Sequence, residues 1–225
     1  QMCIRDRYGL KKYDEGEKRT MGKTAESVLN VMRGWIGFNE SNGKFKEIID
    51  LYNSVKPLPR GYTVKYTDEW CDTCVSAAAV KAGCADLIGR ECGVEKHIEI
   101  FKQKGIWIED GTITPKPGYV ITYNWDKSSQ PNDGYADHIG YVESVSGGNI
   151  TVIEGNKGEA VARRVIPVGW GCIRGYAAPK YDAATATPVP VTGKKSVEEV
   201  AKEVLAGKWG NGDDRTNRLK EAGSD

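Results

Sequence analysis

The spacing of the hydrophobic residues changes at Gly105, and this change constrains the fold of the chain more than any other feature of the sequence. Before Gly105, apolar residues recur at the three- and four-residue spacing of amphipathic helices. After it, short runs of β-branched and aromatic residues alternate with turn residues, which is the pattern of strands. Helices followed by an antiparallel sheet predict an α+β domain with its N-terminal helices packed on the sheet.

Four helices are predicted before the sheet. Thr24 caps the first helix, and the second ends before the turn at Pro57. The third starts near Glu69, carries small residues on one stripe and stops at Gly83, and the fourth stops at Gly105. The predicted strands cover residues 119–123, 138–145, 150–154, 160–166 and 172–177.

A change of composition divides the second half of the chain. Residues 183–195, with the sequence AATATPVPVTGKK, have no hydrophobic periodicity and predict a semi-extended linker. Residues 24–182 before this linker form the predicted catalytic domain. Residues 196–225 after it begin with a capping box and continue at helical spacing, which predicts a small all-α unit.

Residues 1–23 are predicted to be a non-native or disordered segment. The segment is charged, and it shows no apolar region of the kind that a signal peptide carries. Residues 1–7 resemble translated sequencing-adapter sequence. We therefore expect the native chain to start at Met21.

The charge balance and the histidine count exclude several classes of function. The 32 basic and 31 acidic residues leave a net charge of +1, so we predict no nucleic-acid partner. No apolar run approaches the roughly 18 residues that a membrane span needs, so we predict no membrane partner. The only two histidines, His97 and His138, are too few for a multi-histidine metal site, and Cys71-x-x-Cys74 has no second pair at zinc spacing. We predict neither a metal nor a cofactor.

Four residues form a candidate catalytic group. Cys71 lies in the first turn of the predicted third helix, where free N–H groups and the helix dipole favour a thiolate. His138 opens a later strand, and this chain order is that of papain-like hydrolases. Either Glu154 or Asn156, at the end of the next strand, is placed to orient His138. Each residue alone is more typical of a structural position, but their combination favours catalysis. His97 has no carboxylate motif near it in sequence and is predicted to be structural.

The pairing register decides whether Glu154 can reach His138. Directly opposite residues of an antiparallel pair have a constant sum, and only an even sum places both residues on one face. A two-residue turn at Gly147 and Gly148 gives an odd sum. The catalytic group therefore requires a bulge or an odd-length loop, for instance a three-residue turn that places Glu154 opposite Val142.

Three motifs within residues 24–182 resemble the CHAP family (cysteine, histidine-dependent amidohydrolase/peptidase) found in bacteriophage endolysins. They are Trp70-Cys71-Asp72, Asp137-His138-Ile139-Gly140 and Ile153-Glu154-Gly155-Asn156, in the order of the family. The resemblance implies a papain-like CHAP fold. Many family members hold calcium in an acidic loop before the cysteine. Here that stretch is RGYTVKYTDE and lacks spaced aspartates, so no such site is predicted.

The tail, with the sequence GKWGNG at residues 207–212, resembles the Cpl-seven type cell-wall-binding repeat of phage lysins. Such repeats continue to a third helix that is missing before Asp225, so we expect a partial repeat. The resemblance suggests four wall-binding residues: Lys208, Trp209, Asn211 and Arg215. For Trp209, packing between the two short helices is an equally good alternative to glycan contact.

The two resemblances imply a peptidoglycan hydrolase of the endolysin type. Cys71 would attack an amide carbonyl, and His138 would protonate the leaving amine. The enzyme would be an N-acetylmuramoyl-L-alanine amidase or a peptide endopeptidase; a catalytically inactive wall-binding protein is the alternative. We expect a monomer whose partner is bacterial peptidoglycan. It would reside in the host cytoplasm before lysis and at the cell wall afterwards.

Overall fold

The structure is a computed structural model, and it describes residues 22–183. The predicted linker after residue 183, the wall-binding unit with Lys208, Trp209, Asn211 and Arg215, and the segment before residue 22 lie outside the described residues. The described residues begin at Gly22, two residues before the predicted boundary at residue 24. The backbone of Lys23 exchanges hydrogen bonds of 2.9 Å with Asp182 at the other end of the domain.

Helices occupy the first half of the described residues and strands the second. The helices are α1 (Ala25–Trp35), α2 (Phe45–Ser54), α3 (Cys71–Lys81), α4 (Ala85–Ile88) and α5 (Val94–Gln103), with a 3-10 turn at Pro59–Gly61. The strands are β1 (Trp107–Ile108), β2 (Val120–Tyr123), β3 (His138–Ser146), β4 (Asn149–Glu154), β5 (Ala162–Pro167) and β6 (Ile173–Ala177). The predicted α+β class is confirmed. α4 and β1 were not predicted, because segments this short carry no hydrophobic period.

The helix boundaries follow from local chemistry. The side chain of Thr24 accepts a hydrogen bond from the Ser27 N–H at 3.1 Å and so caps α1. Gly83 follows α3 at a φ of 70°, a left-handed conformation that glycine adopts without strain. The prediction of a single buried stripe on α3 was wrong. Residues 71–79 are all buried, because other elements cover every side of the helix.

The six strands form one antiparallel sheet in the order β1-β6-β2-β3-β4-β5. One face of the sheet packs against the helices. There Tyr141 of β3 donates a hydrogen bond of 3.0 Å to the Val75 carbonyl in α3. His138 shares a face of the sheet with Gly140, and Glu154 lies directly opposite Gly140 on β4. Both side chains are therefore on the opposite face from Tyr141 and Ile153. None of the helices within residues 22–183 is long and apolar enough to cross a membrane.

A bulge in β3 sets the register of the site. The turn between β3 and β4 has two residues, Gly147 and Gly148, with φ of 56° and 77°, and it pairs residues with an odd sum. The register then shifts between Val142 and Ser144 to an even sum, which places Glu154 opposite Gly140. The predicted need for a bulge or an odd loop is confirmed. The suggested three-residue turn and the pairing of Glu154 with Val142 were wrong.

Ion pairs hold the extra residue of this bulge, Glu143. Arg33 of α1 donates to its carboxylate at 2.9 Å, and Arg163 of β5 donates at 2.8 Å. The side chain of Glu143 is 10% exposed, so these charge-assisted bonds are only partly screened by water. They hold the bulged residue from both sides.

Candidate active site

The structure pairs His138 with Glu154. Nε2 of His138 lies 3.1 Å from Oε2 of Glu154, and the glutamate side chain is fully buried. Burial by itself would raise the pKa of Glu154, but hydrogen bonds from His138 and Arg164 and the charges of both side chains hold it below its ordinary value. An ionised carboxylate only accepts hydrogen bonds, so Nε2 carries the proton. In the neutral imidazole the lone pair is therefore on Nδ1, the nitrogen that is available to accept a proton.

Glycine at position 140 makes room for this pair. A Cβ on Gly140 would lie 2.8 Å from Cγ of Glu154 and 2.9 Å from the carbonyl oxygen of Ile153. Both distances are shorter than real contacts of a Cβ atom. A larger residue would displace the glutamate from the histidine. This is the physical reason for a glycine in the Asp137–Gly140 motif.

Three aromatic residues, Tyr123, Trp125 and Trp170, form a wall beside His138. The ring centroids of Tyr123 and Trp125 lie 5.9 Å and 5.8 Å from that of His138, and Trp170 packs on both. Asp137 accepts a hydrogen bond of 2.8 Å from the backbone of Trp125, which fixes the end of the wall. Trp125 is 41% exposed, whereas Tyr123 is buried. The wall therefore restricts access of water to the histidine from one side and offers an open aromatic ring at its edge.

Arg164 of β5 also contacts the glutamate, and sequence analysis missed it. Its Nε lies 2.8 Å and 3.0 Å from the two carboxylate oxygens of Glu154. Arg164 pairs with Val152 across the sheet and so shares a face with Glu154. The predicted strand at 160–166 contains two adjacent arginines, and alternation of faces places one of them on that face. The sequence alone does not show which of the two it is.

Cys71 is the first residue of α3 and is 7% exposed. The predicted thiolate is contradicted: burial, followed by the negative charges of Asp72 and Glu69, raises the pKa of Cys71 to about 12. The helix N-terminus acts in the opposite direction but is outweighed. Within the described part of the chain, Cys71 and His138 form no hydrogen bond with each other. In this conformation the cysteine is a thiol.

Gly155 brings the end of β4 against the start of α3. A Cβ at Gly155 would overlap the side chain of Cys74, 2.8 Å from its sulfur, and would lie 3.1 Å from the ring of Trp70. The strand that carries Glu154 is therefore packed directly on the helical turn that begins with Cys71. Cys74 itself is completely buried, with its sulfur 3.9 Å from that of Met32 in the helical core.

Within the range that the structure describes, the side chain of Asn156 forms no hydrogen bond with His138. Its side chain donates to the Glu69 carboxylate instead. The strand ends at Glu154 and Asn156 has a φ of 55°, so the alternation of faces does not extend to residue 156. Of the two residues predicted to orient His138, the structure assigns Glu154 to this contact. Asn156 links the end of β4 to the segment before Cys71.

The second histidine, His97, also has a carboxylate partner, one that is distant from it in sequence. Nδ1 of His97 lies 2.6 Å from Oδ1 of Asp72, and Nε2 lies 3.3 Å from the carbonyl oxygen of Ile88. Both side chains of the pair are buried. Because Asp72 is in the first turn of α3, the pair ties that turn to α5. The predicted structural role of His97 agrees with this geometry.

A cavity of about 330 Å³ lies beside the segment that precedes Cys71. It is lined by Arg60, Tyr62, Val64, Asp68, Glu69 and Cys92. Glu69 lies both in this lining and in the contact with Asn156. The cavity therefore borders the region between the cysteine helix and the end of β4. Within residues 22–183, no group of three or more His, Cys, Asp or Glu side chains is arranged to hold a metal ion.

Two family models match the chain. Residues 61–156 match the CHAP domain. Residues 198–225 match the CW_7 repeat. The first range contains Cys71, His138, Glu154 and Asn156, and the second contains the candidate wall-binding residues of the tail. No curated protein matches the chain.

Two solved structures are similar to the chain, and both are crystal structures of Ly7917. The one with the hydrolyzing product of MDP is 15% identical with a TM-score of 0.41, and the other is 16% identical with a TM-score of 0.40. Each similarity covers 69% of this chain. The chain spans less than two thirds of the length of either structure, 63% and 62%.

Proposed function

We propose that the protein is a peptidoglycan hydrolase that cleaves an amide bond of the bacterial cell wall by cysteine–histidine catalysis. The observation that carries the proposal is the hydrogen bond between His138 and the buried Glu154, which leaves Nδ1 as a base in the domain that contains Cys71. The CHAP match over this region and the CW_7 match in the tail support a cell-wall substrate.

The reaction begins with a thiol rather than a preformed thiolate, because burial keeps the pKa of Cys71 high. Substrate binding brings an amide carbonyl to the sulfur, and Nδ1 of His138 takes the thiol proton as the carbon–sulfur bond forms. The N–H groups at the start of α3, that of Cys71 among them, stabilise the oxyanion. His138 then protonates the leaving amine, and water hydrolyses the thioester.

Glu154 orients His138 in both steps. It holds the proton on Nε2 and stabilises the imidazolium that forms during each proton transfer. The glutamate accepts hydrogen bonds but does not itself take up a proton. The cavity beside Glu69 lies next to the segment before the nucleophile, so we assign it to the part of the substrate that becomes the thioester.

The bond is proposed to be the N-acetylmuramoyl-L-alanine amide, with a peptide bond of the stem or cross-bridge as the other candidate. Mass spectrometry of digested peptidoglycan distinguishes them. New free amino groups on L-alanine identify an amidase, whereas new ends within the stem or cross-bridge identify an endopeptidase. We further propose residues 24–182 as the catalytic domain, 183–195 as the linker and 196–225 as a wall-binding repeat. The protein would reside in the host cytoplasm before lysis and at the cell wall afterwards.

A turbidity assay with purified walls tests the proposal. The wild type is expected to clear the suspension, and Cys71→Ala is expected to lose this activity. Cys84→Ala is the matched control, because Cys84 is also a buried cysteine but lies at the start of α4. Equal clearing by the wild type and Cys71→Ala would contradict the assignment of the nucleophile. A folded wild type that sediments with walls but clears none would instead support the wall-binding alternative.

A further inference from the structure

We propose that Arg164 is a positioning residue of the active site, which holds the Glu154 carboxylate in the orientation that His138 requires. The proposal rests on the hydrolase function proposed above. Arg164 lies on β5, between Arg163 and Val165, outside the three motifs that point to the catalytic group. Its role follows from its contacts with the glutamate, from the charges around that carboxylate and from the way the guanidinium is held.

The contacts of Arg164 involve both oxygens of the carboxylate, whereas the histidine contacts one. The Nε of Arg164 reaches both oxygens of Glu154, at 2.8 Å and 3.0 Å, while His138 contacts only Oε2 at 3.1 Å. A carboxylate held by the histidine alone is free to rotate about its last bond. With the arginine in place, rotation would break charge-assisted hydrogen bonds, so Oε2 stays directed at Nε2.

Arg164 provides the positive charge that balances the Glu154 carboxylate while the His138 imidazole is neutral. Three titratable side chains face this buried carboxylate: His138 from β3, Arg164 from β5 and Tyr123 from β2. Tyr123 is neutral, since burial and then the charge of Glu154 raise its pKa far above the ordinary value. While the imidazole is neutral, Arg164 is therefore the one cation among these partners. The thiol of Cys172 also lies near the guanidinium, and burial raises its pKa.

Removal of that cation would leave a buried carboxylate without a counter-charge, which is unfavourable. Two responses restore neutrality: Glu154 binds a proton, or a proton moves onto His138. The first removes the acceptor that fixes the histidine tautomer. The second fills the lone pair on Nδ1 that deprotonates Cys71. Both responses reduce the active form, and both do so increasingly as the pH falls.

The guanidinium is itself held in place by the aromatic wall. It lies 5.1 Å from the ring centroid of Trp125 and 5.8 Å from that of Tyr123, distances at which a cation is attracted to an aromatic face. Trp125 therefore orders the arginine, which orders the glutamate. Arg163 provides the natural comparison, because it is the adjacent residue on β5 and pairs with Glu143 on the opposite face.

The test compares three variants of the full chain: Arg164→Met, Arg164→Lys and the control Arg163→Met. In Arg164→Met we expect kcat on cell walls to fall about 10- to 100-fold and KM to change little. This is the loss seen when residues that orient metal-bound histidines are removed. The acidic limb of the kcat/KM profile should move to higher pH. Arg164→Lys, which keeps the charge, should restore the limb and part of kcat. Arg163→Met should retain the wild-type profile, because Arg163 does not contact Glu154 and Arg33 still donates to Glu143.

A second readout does not depend on hydrolysis. The chain has only two histidines, so the ring nitrogens of His138 are readily assigned in ¹⁵N-histidine-labelled protein. At alkaline pH the wild type should show an unprotonated Nδ1 and a protonated Nε2, and Arg164→Met should show a mixture of tautomers. If the wild type is folded but does not hydrolyse walls, the proposed function fails while this measurement still tests Arg164.

An unchanged pH profile and an unchanged tautomer in Arg164→Met would overturn the proposal. An equal loss of kcat in Arg163→Met would also overturn it, because the effect would then come from the strand and not from the contact with Glu154. If Arg164→Met does not fold, as judged by its thermal unfolding, a fourth variant, Arg164→Gln, replaces it and is compared with Arg164→Lys. If Arg164→Lys has the same kcat and the same mixture of His138 tautomers as Arg164→Gln, then the charge at residue 164 does not position Glu154.

Discussion

The two histidines form similar pairs with carboxylates but differ in the ring nitrogen that they leave available. His97 has both nitrogens engaged, by Asp72 and by the Ile88 carbonyl, and its ring is fully buried and stacked on Phe101. His138 has Nε2 engaged by Glu154, and no hydrogen bond to Nδ1 is present in the described domain. A buried histidine–carboxylate contact is therefore not a catalytic signature by itself. The free nitrogen distinguishes a base from a structural contact.

The largest expected effect separates the two pairs by activity. His138→Gln removes the base, and we expect kcat/KM on cell walls to fall by about 10²- to 10⁴-fold, the usual contribution of general acid–base catalysis. His97→Gln is the matched control and should retain the activity of each folded molecule. Turbidity loss at equal concentrations of folded protein measures both. Comparable activity losses in the two variants would contradict the distinction between them.

The resting state of Cys71 provides the second prediction, because a thiol needs His138 to remove its proton whereas a stable thiolate would not. With its pKa raised to about 12 by burial, Cys71 should be alkylated by iodoacetamide at a rate that rises about tenfold per pH unit from pH 7 to 10. Peptide mapping by mass spectrometry isolates this site from the other cysteines. A rate that is already constant at neutral pH would show a thiolate and would contradict the proposed first step.

The helices and most strands were predictable because their patterns are local. Hydrophobic spacing, the cap at Thr24 and the stop at Gly83 each depend on a few neighbouring residues. The reach of Glu154 to His138 was predictable only as a condition, since sequence parity shows that a bulge is needed but not where. The bulged residue, Glu143, contacts Arg33 and Arg163, which come from elements distant in sequence and give no local signal of the bulge.

The carboxylate partner of His97 was missed for a related reason. Asp72 and His97 are 25 residues apart on two helices, and their contact depends on how α3 and α5 pack. The thiol form of Cys71 was missed because the helix dipole is visible in sequence while the burial that outweighs it is not. Pairings that depend on tertiary packing are therefore what the sequence left open.

The third prediction disturbs the contact between His138 and Glu154. Gly140→Ala places a Cβ against Cγ of Glu154 and against the Ile153 backbone, so the glutamate must move away from His138. We expect a loss of activity, smaller than that of His138→Gln, and a destabilisation of about 1–3 kcal/mol from overpacking. Gly34→Ala is the control, because no atom lies near its Cβ in α1, and the change should be neutral or stabilising. Full activity in Gly140→Ala would show that the contact with Glu154 tolerates displacement.

The smallest expected effect on activity comes from the pair of His97 and Asp72, where a substitution should lower the stability of the domain instead. His97→Gln leaves the buried Asp72 carboxylate without its partner, and we expect the free energy of unfolding to fall by about 1–3 kcal/mol. Asp72→Asn should have a similar cost. The double variant should lose less than the sum of the two, because each single change already breaks the same contact. Denaturant unfolding measures all three. If His97→Gln instead keeps its stability and loses hydrolysis, then His97 acts on Cys71 through Asp72, and the division between a catalytic and a structural histidine would be wrong.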